Sequence, residues 1–243
     1  MKEWFEQWFD SRYYHLLYQH RNDDEACAFV DTLVRKLQLA PNASILELAC
    51  GKGRHARAFA KNNLDVTGLD LSPQSISHAA EFESDKLHFY VHDMRHFFRS
   101  NYFDVVTNLF TSFGYFRSEH DHVLAARSIV SALKPNGQFV IDFVNRSYAR
   151  RNIERHPHEV IHHGAVTFTI QRSYTQEKLL KEIRIDDNGE TQTFKEEVNS
   201  FSLKKMKSLF VNAGLTFTAS YGDYALSDYN EEESPRMILF FIK

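Results

Sequence analysis

The stretch ASILELACGKGRHARAFA, Ala43 to Ala60, decides how the rest of this 243-residue chain is read. Ser44 to Leu48 form a short apolar run bounded by turn residues, which predicts a buried strand. A turn carrying Gly51 and Gly53 follows, and from Arg54 the alanines and Phe59 recur at helical spacing. Strand, glycine turn and helix in that order bring a ligand to the helix N-terminus. Two registers fit the turn. From Gly51 it reads G-x-G-x-x-A, a dinucleotide-binding pattern; from Glu47 it reads E-x-A-x-G-x-G, with a carboxylate near the end of the strand.

The two registers call for ligands of opposite charge. A dinucleotide sets a doubly negative pyrophosphate on the helix N-terminus. The second register resembles the first motif of the S-adenosylmethionine-dependent methyltransferases, and S-adenosylmethionine has no phosphate and brings an ammonium, a carboxylate and a positive sulfonium. Glu47 repels the first and attracts the ammonium of the second, directly or through water. At about 5 Å and an effective dielectric near 20, that preference is worth roughly 3 kcal/mol before screening. Gly51 and Gly53 let backbone approach the ligand closely. Ala49 is small enough for the turn and is expected in an ordinary β or bridge conformation, because alanine avoids positive φ.

Outward from this turn, strands and helices alternate. The segments DVTGLDL (65–71), KLHFYVHD (86–93), FDVVTNLF (103–110) and GQFVIDFV (137–144) read as strands. Pro73 opens a helix after the first of these, HDHVLAARSIVSAL is a helix before the last, and KPNG is the turn between them. The pattern predicts a parallel sheet with right-handed crossovers. Upstream, residues 2–21 hold aromatic and leucine positions near helical spacing, one or two amphipathic helices. The segment NDDEACAFVDTLVRKLQL is another helix, capped by Asn22 or Asp23 and ended by Pro41. Past residue 146 the period changes to two in AVTFTIQRSY, KLLKEIRID and TQTFKEEV, with DDNG as a hairpin turn. An antiparallel insert of about three strands is expected there. SLKKMKSLFVNAG is a helix with Gly214 past its end, LTFTASY and RMILFFI are the last strands, and DYNEEES (228–234) is a loop.

Three acids punctuate the strands at equal intervals. Asp70 lies 23 residues after Glu47, and Asp93 another 23 after Asp70 (47, 70, 93), each near a strand end that faces the crevice of an open α/β sheet. An acid after the second strand suits two ribose hydroxyls, a role that dinucleotide sites share. Asp93 suits an adenine amine, with the Met94 N–H addressed to the ring; a dinucleotide turn has no fixed need for that third acid.

With these residues in place, ILELACGKG, LDLS, HDMR, NLFTSFGYF and LKPNGQFVIDF resemble the successive motifs of the class I S-adenosylmethionine-dependent methyltransferases, especially small-molecule types with an antiparallel insert after strand five. WFDSRYYHLLYQHRND and SPRMILFFIK resemble the end segments of that subgroup. The resemblance implies an α/β, Rossmann-like, seven-stranded mostly parallel sheet of order 3-2-1-4-5-7-6, helices on both faces and a small antiparallel β insert. It implies a helical lid over 1–40, a cofactor-binding core over 41–145 and 200–243, and an acceptor-site cap over 146–199. It also implies S-adenosylmethionine as cofactor. Glu47, Ala49, Cys50, Gly51 and Gly53 would hold the methionine part; Asp70 and Leu71 the ribose; Asp93, Met94 and Arg95 the adenine; Asn108, Leu109 and Phe110 the methyl side; Tyr18 and Arg21 would reach in from the lid. Tyr14, His20, Phe113, Tyr115, Asn145 and Arg236 are candidates for the acceptor pocket. Phe113, Tyr115 or Phe116 would face the sulfonium by cation–π contact or shape that pocket.

The totals narrow the partners. A formal charge of -3 makes general phosphate-backbone binding an unfavoured class. Two cysteines, Cys27 and Cys50, indicate no disulfide framework, and a cytoplasmic setting is expected. No apolar run is long enough to span a membrane. A small-molecule acceptor, neither nucleic acid nor membrane, and a monomer or homodimer are expected. The 13 histidines cluster most densely at His156, His158, His162 and His163, beside Arg150, Arg151 and Arg155; the local positive charge repels divalent metals, so no metal is expected. His20, Tyr18, His55 and Tyr115 are candidate proton acceptors among which the sequence does not choose. Two other readings stay open: a nicotinamide-dinucleotide oxidoreductase, and a non-catalytic binder of the sulfonium compound.

Overall fold

A computed structural model describes residues 4–19 and 23–243. Five parallel strands make the centre: β1 (Ser44–Leu48), β2 (Asp65–Asp70), β3 (Leu87–Val91), β4 (Phe103–Asn108) and β5 (Leu133–Val144). The innermost strand, β1, is buried at every position because helices cover both faces. The full seven-stranded sheet has the order β3-β2-β1-β4-β5-β11-β10, with β10 (Thr216–Tyr221) and β11 (Arg236–Ile242) at one edge and β11 antiparallel to β5. This is the expected order, counting β10 and β11 as the sixth and seventh strands. The chain leaves β1 toward β2 on one side and returns as β4 on the other, so a crevice opens at their carboxyl ends.

Helices α3 (Asp23–Leu37), α4 (Arg54–Lys61) and α5 (Pro73–Ala79) sit on one side, where Phe29, Val30, Leu33, Phe59 and Ile76 meet the sheet. Helices α6 (Glu119–Ala132) and α8 (Leu203–Ala213) cover the other, and much of the chain's phenylalanine is buried there: Phe113, Phe139, Phe143, Phe210 and Phe241. The KPNG segment bulges within β5: Leu133 pairs with Phe103 and Gln138 with Val105, so the four residues between have no partner on β4.

Residues 12–17 and 4–9 form two short helices, α1 (Trp4–Phe9) and α2 (Arg12–Leu17). The insert begins with a helix that the sequence did not predict, α7 (Arg146–Arg155), capped by the Asn145 side chain on the Ser147 N–H. It buries no residue, and its sequence RSYARRNIER is dominated by charge. A four-stranded antiparallel meander follows, β6 (His158–His163), β7 (Val166–Tyr174), β8 (Lys178–Asp187) and β9 (Glu190–Asn199). The expectation of about three strands missed β6. Its sequence, HEVIHH, is mostly exposed, and an edge strand in antiparallel pairing needs only one neighbour, here β7.

The short helices pack on this meander: Trp8, Tyr13 and Leu17 bury against Phe168, Ile170, Ile183 and Ile185. Asp187, itself buried, accepts hydrogen bonds from Arg12 and from the Tyr13 hydroxyl, the latter at 3.0 Å. Asp187→Ala leaves that buried hydroxyl without its acceptor, a cost of about 1–3 kcal/mol. The loss is expected as faster amide exchange confined to α1 and α2; equal acceleration across the seven-stranded sheet would contradict the local role.

Candidate functional site

The glycine turn is built from inward-pointing hydrogen bonds. Cys50 N–H donates to the Leu69 carbonyl at 3.0 Å, Gly53 N–H to the Cys50 carbonyl at 2.9 Å, and Gly51 N–H to an Asp70 carboxylate oxygen at 2.8 Å. The other Asp70 oxygen takes the Ser72 N–H at 2.8 Å. Burial pushes the Asp70 carboxyl up, against the pull of these backbone donors. Ala49 corrects the sequence expectation: its φ is +55°, in the left-handed region rather than β or bridge. A strand that must turn at once into the Gly51 and Gly53 conformations, at φ +55° and +77°, imposes this conformation despite a cost of about 1–2 kcal/mol for a non-glycine residue.

Glu47 lies under this turn, between Gly68 of β2 and Thr107 of β4, and is 1% exposed. One of its carboxylate oxygens is 3.2 Å from His55 Nδ1. The other, Oε2, is buried without a hydrogen-bond partner among the described residues. The carboxylate therefore sits beneath the crevice wall, and Ala49, Cys50, Gly51 and His55 form the wall above it.

The crevice has a volume of about 1210 Å³ and runs from this turn to the insert. Asp70, Leu71, Asp93 and Met94 line its near end, and Leu109, Phe110, Thr111, Tyr115 and Arg236 its middle. At the far end α7 contributes Ile153, its C-cap is His156, and the meander contributes His158, Leu179, Leu180 and Val198. Tyr14 and Tyr18 close one side, with the Tyr18 hydroxyl donating to Glu196 at 3.0 Å and accepting from Lys181. Arg21 and His20 lie outside the described residues.

Four expected site residues take other positions. Phe113 is fully buried among Phe116, His122, Phe201 and Phe210, in the core below the crevice. Asn108 is fully buried in β4 and donates to the Leu48 carbonyl at 3.1 Å, tying β4 to β1. Asn145 caps α7 and donates to the Glu231 and Ser234 carbonyls at 2.8 Å, fixing the acidic loop. Arg95 turns its guanidinium onto Asp93, with Nη2 at 2.6 Å from Oδ2. Burial disfavours the Asp93 carboxylate, but Arg95 outweighs it and holds the carboxyl below its ordinary range. Asp93 thus lines the crevice as an acceptor already clamped in place.

His15, Thr111, Lys181 and Glu196 are wall residues that the sequence did not mark. The last two come from β8 and β9, and only the folded meander brings them opposite α2. Burial, then the Lys52 charge and His78, against a weaker pull from Asp10, lower the His15 pKa to about 4. The folded state thus binds this proton less readily than the unfolded chain, whose imidazole titrates near 6.5. Its contribution to stability is complete above pH 6.5 and is lost as pH falls toward 4. His15→Gln is expected to flatten that limb in urea titrations across the window; an unchanged limb would assign it elsewhere.

Residues 45–137 match the family model of a methyltransferase domain. Over its whole length the chain has the fold of the class I S-adenosylmethionine-dependent methyltransferases. An S-adenosylmethionine-dependent methyltransferase from Clostridium acetobutylicum superposes with a TM-score of 0.78 at 16% identity, covering 95% of each chain. A SAM-bound amino pentose methyltransferase from Micromonospora echinaspora gives 0.67 at 19% identity, covering 96% of this chain and 97% of that one. In sequence, 130 residues are 32% identical to dTDP-3-amino-3,4,6-trideoxy-alpha-D-glucopyranose N,N-dimethyltransferase from Streptomyces venezuelae, 53% of this chain and 54% of that protein. The chain thus spans about half the length of the curated relatives it matches. The matched segment contains the glycine turn, Asp70, Asp93 and the Phe110–Thr111 turn, whereas the insert wall and Arg236 lie beyond it.

Proposed function

We propose that the protein transfers a methyl group from S-adenosylmethionine to a small-molecule nitrogen or oxygen nucleophile held between the glycine turn and the insert. The observation that carries the choice of cofactor is the electrostatics of the turn. Its Cys50, Gly51 and Gly53 N–H groups already donate to protein acceptors, and beneath it lies a buried carboxylate with an unpartnered oxygen. A pyrophosphate needs free N–H donors and no buried anion; an ammonium needs the reverse. A Cβ at Gly51 would meet nothing within 4 Å, so this backbone is open to the crevice and fits close approach of the methionine part. Asp70 and Leu71 would then hold the ribose, and Asp93 and Met94 the adenine.

When bound, the cofactor supplies an electrophilic methyl on sulfur. The chain supplies position: the acceptor atom must lie on the methyl–sulfur axis, and the crevice walls fix that approach. The N-terminal helices and the meander, joined through Trp8 and Glu196 at 2.6 Å, act as a lid and cap that exclude water from the sulfonium. The relatives whose printed names specify amino-sugar N,N-dimethylation support an amine as the acceptor. Among the described residues no helix is long and apolar enough to cross a membrane. Incubation with methyl-labelled cofactor and a panel of amino sugars, simple amines and metabolite extract is expected to label a small molecule. Label found only in protein or nucleic acid would overturn the acceptor class.

A further inference from the structure

We propose that Asp142 and Arg236 are positioning residues for the cofactor, clamping the Phe110–Thr111 turn in a left-handed conformation that sets the middle wall of the crevice. The inference rests on the S-adenosylmethionine reading above and adds how that wall is held.

Two consecutive residues after β4 have positive φ, Phe110 at 67° and Thr111 at 68°, and neither is glycine or asparagine. For a bulky and a β-branched residue this is a true outlier, and it persists only where the surroundings over-determine it. Asp142 provides that constraint. It lies in β5, 1% exposed, and engages the N–H groups of both strained residues: its carboxylate takes Phe110 N–H at 3.0 Å and its backbone carbonyl takes Thr111 N–H at 2.9 Å. The same carboxylate accepts Arg236 Nε at 2.7 Å and the Tyr224 hydroxyl at 3.3 Å. Arg236 reaches on from β11, donating through Nη2 to Thr111 Oγ1 at 2.9 Å, with its guanidinium 5.6 Å from the Phe110 ring centroid. Burial works against the Arg236 charge, and Asp142 outweighs it.

The turn is also tied to the glycine loop, since Arg54, the first residue of α4, stands 4.7 Å from the centroid of the same Phe110 ring. Phe110 and Thr111 thus line the same crevice as Ala49, Gly51 and Lys52. Stability alone does not account for this arrangement. A buried ion pair is a weak stabiliser compared with apolar packing, and a glycine would take positive φ without help. What the clamp adds is a fixed position for the Phe110 ring, which a glycine at that position would lack.

The test is calorimetric titration with S-adenosylhomocysteine of the wild type, Asp142→Asn, Arg236→Lys, and each variant combined with Thr111→Gly. Each single change is expected to weaken binding by about tenfold, the scale of releasing one left-handed residue. Adding glycine at 111 is expected to recover at least half of that loss on a logarithmic scale, because it removes the strain that the clamp opposes and leaves the Phe110 ring in place. Should Asp142→Asn fail to fold, Arg236→Lys, which keeps the positive charge but loses the second arm, carries the same comparison. Single variants that bind as the wild type does, or losses that glycine leaves untouched, would overturn the clamp and leave the cofactor reading standing. A wild type that does not bind S-adenosylhomocysteine would overturn both.

Discussion

Glu47→Gln is expected to weaken S-adenosylhomocysteine binding by about 10- to 100-fold while leaving the fold as stable as before or more so. Glutamine keeps an acceptor oxygen for His55 Nδ1, which lies 3.2 Å from the carboxylate. It replaces the unpartnered Oε2 with an amide nitrogen whose hydrogens face outward. A ligand ammonium then meets a positive dipole end where it had met a negative charge. Coulomb attraction of roughly 3 kcal/mol at ~5 Å, reduced by screening, sets the range. Stability moves in the opposite direction, because a buried carboxylate with one empty oxygen is a cost to the folded state. Calorimetry and urea unfolding on the same variant separate the two effects. Lower stability with unchanged affinity would make Glu47 a structural partner of His55 and nothing more.

Phe89→Ala is expected to cost about 3–5 kcal/mol, a large share of the roughly 5–15 kcal/mol that holds a domain together. The ring lies 5% exposed on β3 and fills the space left by two glycines at once. A Cβ on Gly53 would fall 2.6 Å from its Cζ, and one on Gly68 would fall 2.6 Å from its Cδ1. Gly53 is also the N-cap of α4, with φ of 77° and no capping side chain, so the ring is what seats the start of that helix against the sheet. Neither glycine can reach into the cavity that alanine leaves. Affinity for S-adenosylhomocysteine should fall with stability, since the turn loses its support. A loss below ~1 kcal/mol in urea unfolding would contradict this packing account.

The central strands were legible because burial on both faces writes them as short apolar runs, and the glycine turn because few residues tolerate such backbone. The acids at 47, 70 and 93 were legible from spacing alone. Side-chain direction was not. Asn108 and Phe113 flank the crevice in sequence, yet register and the short helical turn at Ser112–Tyr115 send both inward, while Leu109, Phe110 and Tyr115 line the wall. Ala49 was misjudged because residue preference lost to the geometry of the turn around it. The insert hid α7 and β6 because charged residues dominate the first and histidines the second, and neither is buried. The far wall was invisible for a different reason: Tyr18 meets Glu196 across 178 positions of sequence, a contact that no local pattern records.

The account stands on the claim that the turn is matched to a cation and not to a diphosphate. Calorimetric titration of the wild-type protein with S-adenosylhomocysteine and, separately, with NAD tests this most directly. The turn's inward N–H groups and the carboxylate beneath them predict binding of S-adenosylhomocysteine and none of NAD at the same concentrations. Tight binding of NAD alone would contradict it.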